Sequence, residues 1–268
     1  MPALSIIIVS FNTRGHLERC LASLKDAPID TSHEIIVVDN ASSDGSGDAA
    51  RRWPDVHVID AGSNKGFSAA NNIGIRASHG AALLLLNSDT IVPASAVDRL
   101  MGVLQAHPEA TVVGPRLVDG DGRAELSFGA MISPLAEFRQ QRMMRGLADG
   151  DRAAVAKVEA MTRQAQWPDW VSGACLLVRR PEAEAVGLLD ERFFMYTEDV
   201  DFCAAIRSRG GRVLFTPTVE IVHLGGRSKA TTPRATHEAY RRSHQAFYEK
   251  HHPWLAPLLR VYTKLVER

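Results

Sequence analysis

Leu83-Leu84-Leu85-Leu86-Asn87-Ser88-Asp89 joins a continuous apolar run to a short polar turn that ends in a carboxylate. An uninterrupted run of this kind, opening at Ala81, predicts a central strand buried on both faces. A buried strand that ends in an acidic turn is a good place to hold a divalent metal. Far along the chain, Thr197-Glu198-Asp199-Val200-Asp201 forms a second acidic cluster that can supply a base to the same cleft. The pairing suggests metal-assisted chemistry on a phosphorylated donor.

The flanking sequence repeats the pattern. Strands are predicted at Leu4–Val9, at Glu34–Val38 ending in Asp39, and at Val56–Ile59. Helices are predicted at His16–Leu24, Ser68–Ser78 and Pro93–His107, after which Val112–Val113 leads into Gly114-Pro115. Strands alternating with helices imply a parallel sheet with crossover helices. In such sheets ligands bind beyond the carboxyl ends of the strands. Ser10-Phe11-Asn12, Asp39-Asn40 and Asn87-Ser88-Asp89 all lie at those ends, so three polar clusters converge on one edge.

The second half reads differently. Residues 134–168 are charged and rich in Ala, Met and Gln, predicting one or two amphipathic helices broken near Gly146 and Gly150. Trp170–Arg179 reads as a strand whose Ser172-Gly173-Ala174 permits close backbone approach. Val213–Phe215 and Glu220–Val222 read as two short strands. In the tail, Thr232-Pro233 has the form of a helix cap followed by proline at the first helical position. A second helical stripe begins at Leu255.

Bulk properties narrow the class. The chain has 268 residues, 45% of them hydrophobic, enough for one large α/β domain with a sizeable core. Lys+Arg and Asp+Glu both number 31, which gives no case for nucleic acid as the main partner. Cys20, Cys175 and Cys203 are widely spaced with no CxxC, as expected of core thiols in a reducing compartment. No signal peptide is evident and no apolar run is long enough to span a bilayer, so the expected location is cytosolic or peripheral on a membrane.

Seven stretches occur in a specific order: SIIIVSFN (5–12), VVDNASSDGS (37–46), NKGFSAANNIGI (64–75), LLLLNSDT (83–90), WVSGACLLVRR (170–180), LDERFFMYTEDVDFC (189–203) and HLGGRS (223–228). In this the chain resembles glycosyltransferase family 2 enzymes of the GT-A fold, in their rhamnosyltransferase-like branch. The resemblance implies a Rossmann-like α/β fold with a mostly parallel central sheet flanked by helices and a helical C-terminal tail. Residues 1–115 are then expected to form the nucleotide-sugar half, 116–231 the acceptor-binding and catalytic half, and 232–268 a basic amphipathic tail. The implied reaction is an inverting hexosyl transfer from a dTDP- or UDP-linked sugar, dTDP-L-rhamnose first, to a saccharide or polyprenyl-linked acceptor in bacterial envelope polysaccharide synthesis. A soluble acceptor with another uridine or thymidine sugar is the alternative.

The resemblance also assigns residues. Asp39 would accept the N3–H of the donor's base, a donor shared by uracil and thymine; an Asx turn is its structural alternative. Ser10, Asn12, Asn64, Gly66 and Asn71 are expected in the donor pocket; loop shape and helix packing are the structural alternative for Asn64, Gly66 and Asn71. Asn87-Ser88-Asp89 resembles the family's DxD motif with Asn in place of the first acid. Asp89 is then a ligand of Mg²⁺ or Mn²⁺ and Asn87 a contact to ribose or metal-bound water; a helix cap ahead of Pro93 is the alternative. His223 would be a further metal ligand, favouring Mn²⁺. Arg227 and Ser228 would clamp the diphosphate, where surface charge is the competing reading. Asp199 is the implied catalytic base, with Gly173, Glu198 and Asp201 on the acceptor side; Thr197 capping a helix with acids in its first turn is the alternative. From Gly225 onward basic residues outnumber acidic ones, so the tail could lie on an anionic membrane, or pack on the body or a partner copy.

Other classes fit less well. A sugar-nucleotide pyrophosphorylase would carry a glycine-rich loop near its first strand, yet Ser5–Asn12 has no glycine. A nicotinamide oxidoreductase would show GxGxxG after that strand. A non-catalytic sugar-nucleotide module would be expected to lack Asp89 or Asp199, and both are present.

Overall fold

The computed structural model describes residues 1–26, 28–225 and 233–260. Five strands come from the first half: β1 (Leu4–Ser10), β2 (His33–Asp39), β3 (Val56–Asp60), β4 (Ala82–Asn87) and the short β5 (Thr90–Ile91). β6 (Val112–Val118), β9 (Cys175–Arg179) and β10 (Val213–His223) complete an 8-stranded sheet in the order β3-β2-β1-β4-β9-β6-β10-β5. β7 (Phe128–Gly129) and β8 (Trp170–Val171) pair separately.

β1 pairs in parallel with β2 and β4, and β2 with β3, as the alternating pattern predicts. The other half of the sheet is mixed. β9 enters between β4 and β6, antiparallel to both, and β5 closes the edge antiparallel to β10. The strand expected over 170–179 is thus two strands, divided where Ser172-Gly173-Ala174 leaves the ladder. Conversely, the two strands expected in 213–222 are one, interrupted by a register shift between Thr216 and Glu220. Pro217 lies in that shift, where a missing N–H is tolerated.

Strand residues alternate between two cores, because successive side chains point to opposite faces. Ile6, Ile8, Leu84 and Leu86 pack with α1 (Arg14–Asp26) and α4 (Ala96–Ala106), through Leu17, Leu21, Leu100 and Leu104. Ile7, Leu83 and Leu85 face α3 (Phe67–Ala77) and α8 (Glu198–Ser208), through Ile75, Phe202 and Ile206. The double burial explains the unbroken apolar strands.

Short helices α2 (Ser46–Ala50) and α7 (Arg180–Ala185) fill the connections. Residues 134–161 form two helices where one or two are expected, α5 (Pro134–Ala148) and α6 (Arg152–Met161), broken at Gly150 while Gly146 stays inside α5, and α9 (Pro233–His251) packs Phe247 and Tyr248 into the second core. The cap expected at Thr232 and most of the second tail stripe, from 261 on, lie outside the described residues.

Candidate active site

The cleft opens at the carboxyl edge of β1 and β4, with a volume of about 330 Å³. One wall is the turn after β4. β5 pairs with the end of β10, setting Thr90 opposite His223, and Leu224 N–H donates to the Asp89 carbonyl at 2.8 Å. His223 Nε2 therefore stands 3.4 Å from Asp89 Oδ1 and 3.5 Å from the Asn87 amide. Its Nδ1 lies 3.0 Å from Glu125 Oε2. Burial alone would lower the His223 pKa, but the flanking Asp89 and Glu125 carboxylates outweigh it and lift it to about 10. Burial likewise opposes ionisation of Asp89, yet the His223 hydrogen bond and charge hold its carboxyl below the usual range.

This donor set suits a divalent cation. A carboxylate oxygen and an imidazole nitrogen converge, and a second carboxylate on the far ring nitrogen orients the ring; a bound cation would take the place of the Nε2 proton, as is common around metal-bound histidines. Glu125 is spent on that orienting bond, and among the described residues no three His, Cys, Asp or Glu side chains could hold a metal ion by themselves. Two protein donors would leave further coordination positions open on such a cation.

The facing wall is the start of α8. Asn87 N–H donates to Ala174 O at 2.9 Å, and Gly173 N–H donates to Asp199 Oδ2 at 2.9 Å. The break between β8 and β9 thus links the two acidic signatures directly. Asp199 Oδ1 accepts from Val200 N–H at 2.8 Å, so each oxygen has a backbone donor. Burial pushes the Asp199 pKa up against the pull of those N–H groups. Glu198 is raised well above the ordinary carboxylic range, by burial first and by the Asp199 charge second. Its Oε2 is buried with no hydrogen-bond partner among the described residues. A carboxyl in this condition is most stable holding a proton, beside a neighbour that can ionise.

Residues 5–157 match the model of the family described as glycosyl transferase family 2, which is more than half of the chain. The chain belongs to glycosyltransferase family 2. The glycosyltransferase is 29% identical over 269 residues, covering 95% of itself and 87% of the relative, to N-acetylglucosaminyl-diphospho-decaprenol L-rhamnosyltransferase of Mycobacterium tuberculosis. It is 25% identical to the dTDP-rhamnosyl transferase RfbF of Shigella flexneri, covering 82% of itself and 68% of RfbF. Among solved structures it superposes with TM-score 0.63 and 20% identity on mannosyltransferase PcManGT from Pyrobaculum calidifontis in complex with GDP-Man and Mn²⁺, covering 97% of this chain and 68% of that one. The fold is of the GT-A type.

The glycosyltransferase's cleft gathers Asn64, Gly66, Asn87, Asp89, Gly173, Glu198, Asp199 and His223. Five further residues expected at the site do not line this cleft directly. Ser10 is fully buried in a hydroxyl chain with Thr13, which in turn bonds Ser88, each link 2.9 Å. Asn12 Oδ1 accepts from Ser43 N–H at 2.8 Å and shapes the neighbouring loop. Asn71 donates to the Phe67 carbonyl inside its own helix. Asp39 faces α2, where a Cβ on Gly47 would come within 2.6 Å of its Oδ2; its neighbour Asn40 lines the cleft instead. Asp201 is 1% exposed and pairs with Lys250 and His251 at 2.8 and 2.6 Å. Two residues apart on a helix is roughly 200° of rotation, so Asp199 and Asp201 cannot share a wall. Arg227 and Ser228 lie outside the described residues.

The helix-cap alternatives also resolve. α4 begins at Ala96, well beyond Asp89. Thr197 makes no side-chain cap; with φ of 61° its hydroxyl donates to the Tyr196 carbonyl. Tyr196 and Thr197 are consecutive left-handed non-glycine residues, with φ of 69° and 61°. Such strain persists only where the surroundings over-determine it. Here α3 supplies much of the restraint: Ser68 Oγ donates to Phe193 O at 2.7 Å, and Asn72 bonds both backbone groups of Leu189.

Phe67 N–H donates to Phe194 O at 2.6 Å, and a Cβ on Gly66 would sit 2.4 Å from that same oxygen. Gly66 also has φ 83° and ψ 174°, a conformation essentially confined to glycine. Gly66→Ala is therefore expected to cost about 1–3 kcal/mol of backbone strain and to displace the Phe194–Thr197 segment. Urea denaturation would show the lower midpoint; an unchanged midpoint would contradict the close approach.

Proposed function

We propose that this enzyme catalyses an inverting transfer of L-rhamnose from dTDP-L-rhamnose to a hydroxyl of a polyprenyl-diphosphate-linked saccharide, at the cytoplasmic face of a bacterial membrane. The observation that carries this reading is the pair of facing walls, Asp89–His223 on one side and Glu198–Asp199 on the other, joined through Gly173-Ala174. The similarity to an L-rhamnosyltransferase named for a decaprenol-linked acceptor supports the choice of sugar and acceptor class.

In this reading Asn64 and Gly66 line the donor side, with Asn40 beside them; Asp39, next to Asn40 in the chain, is the proposed acceptor for the base's N3–H. Asp89 and His223, with Asn87 beside them, would hold the divalent cation, Mn²⁺ or Mg²⁺, whose chemistry here is to neutralise the departing diphosphate. Asp199 takes the proton of the acceptor hydroxyl as that oxygen bonds to the anomeric carbon and the bond to the diphosphate breaks. One base and one displacement invert the anomeric centre. Glu198, protonated, would donate a hydrogen bond to a sugar hydroxyl that reaches its buried Oε2. Gly173 fixes Asp199 through its N–H.

The test is a thermal-shift panel of nucleotide sugars with and without Mn²⁺ or Mg²⁺, since a ligand that binds only the native state raises its stability. Metal-dependent stabilisation by dTDP-L-rhamnose is expected. No response to any thymidine or uridine sugar from folded protein would overturn the reading. Asp89→Ala is expected to abolish the metal-dependent part of donor affinity in calorimetry, and equal affinity with and without Mn²⁺ in both proteins would count against Asp89 as a ligand.

A further inference from the structure

We propose that the outward face of α5, with the ridge at Trp254 and Leu258, is a docking surface for an anionic lipid bilayer; this rests on the proposed lipid-linked acceptor. α5 is fifteen residues by its bounds, Pro134–Ala148, and buries none of them. A surface helix of this length ordinarily hides an apolar stripe. Here Ala136, Met143 and Leu147 are only half-buried, and two large apolar side chains face outward: Leu135 is 59% exposed and Phe138 65%. Arg142 and Arg145 continue the same line, at spacings of three and four residues, and Arg139 flanks it; all three are exposed.

The charge on this face has one sign. Glu137, the only acidic residue of α5, is turned inward, where it accepts from the Tyr248 hydroxyl and pairs with His244 of α9. His252 Nε2 bonds Ile132 O at 2.7 Å, which brings the chain after α9 to the start of α5. Two residues on, Trp254 is 91% exposed, and Leu258 follows at 67%. Two pairs of exposed apolar groups, Leu135 with Phe138 and Trp254 with Leu258, are thus carried by segments that meet at the His252–Ile132 bond.

A bilayer with anionic headgroups satisfies both features, taking the apolar side chains at the acyl boundary and the guanidinium groups at the phosphates. A second copy of this chain would set the same arginines against one another. The surface is also coupled to the cleft. Ser243 Oγ donates to Met195 O at 2.7 Å, and the Tyr240 ring lies 5.9 Å from Tyr196 and 5.7 Å from His244. α9 thus spans from the cleft's rim to the inner face of α5, so docking would hold the cleft at the membrane surface. The basic tail is the element for which membrane contact or packing on the body is expected from sequence; α9 packs Phe247 and Tyr248 on the body, and α5 is a further element.

Co-sedimentation of the full chain with vesicles tests this, comparing phosphatidylcholine with an equal mixture of phosphatidylcholine and phosphatidylglycerol. The chain is expected to partition at least tenfold more strongly onto the mixed vesicles. Leu135→Ser/Phe138→Ser and Arg142→Gln/Arg145→Gln, all at exposed positions, are each expected to weaken this at least tenfold with melting temperature unchanged. Equal partitioning of all three proteins, or none by the unaltered chain, would overturn the surface. So would a dimer in sedimentation velocity that Leu135→Ser/Phe138→Ser dissolves, which would assign the face to a second copy. Vesicle binding with transfer only to water-soluble saccharides would support the surface and overturn the acceptor reading. Transfer to a lipid-linked acceptor without vesicle binding would overturn the surface alone.

Discussion

Replacing Asp199 by Asn is expected to lower sugar transfer by about 10²–10⁴-fold, the range associated with a positioned general base. Asn keeps the shape, and its Oδ1 can still accept the Gly173 or Val200 N–H, so the turn should survive. Donor affinity and melting temperature should therefore stay near those of the unaltered enzyme. Single-turnover kinetics separate chemistry from binding: the loss should appear in the transfer step and not in the donor dissociation constant. Transfer within a fewfold of normal would remove Asp199 as the base and turn attention to Glu198, whose buried, unpartnered Oε2 is the other candidate on that wall.

Asp201→Ala should do the reverse. Its carboxylate is the buried end of a pair of ion contacts to Lys250 and His251, with only 2% of the side chain exposed. Removing one partner of a buried pair typically costs about 3–5 kcal/mol, because the remaining charge is left uncompensated. The lower end is expected here, since Lys250 also reaches Asp190 at 2.8 Å. Chemical denaturation should show the loss, with the folded fraction retaining its rate constant for transfer. A stable protein with impaired acceptor binding would restore Asp201 to the cleft. Two acids in one five-residue motif would thus separate into one that matters to rate and one that matters to folding.

The strands of the first half were legible because both sheet faces are covered, which leaves continuous apolar runs that need no partner to be recognised. The second half was harder for physical reasons. A strand with a register shift, such as β10, looks like two short runs, and a strand that changes sheets, as at Ser172-Gly173-Ala174, looks like one. The direction of β9 has no local signature at all. The cleft's polar residues were identified by motif, but motif membership does not say which way a side chain turns. Asp201 and Asn71 show this: helical rotation and a hydrogen bond inside the helix decide their orientation. Glu125 carried no signal, since it becomes a partner of His223 only when β10 returns beside β6. Thr13 and His16 line the cleft and carry no motif signal for the same reason.

The insertion of β9 between β4 and β6 has a bearing on synthesis. As the chain leaves the ribosome, β4 can join β1 early, but its other edge stays open until residues 175–179 have emerged. An open edge rich in leucine is an invitation to wrong pairing, and pairing across so long a separation slows folding. A fragment stopped at residue 157, where the family match ends, would lack the strand that bridges the two sides of the sheet. Such a fragment should fail as an independent unit, and the nascent enzyme should depend on chaperone protection until its ninth strand arrives.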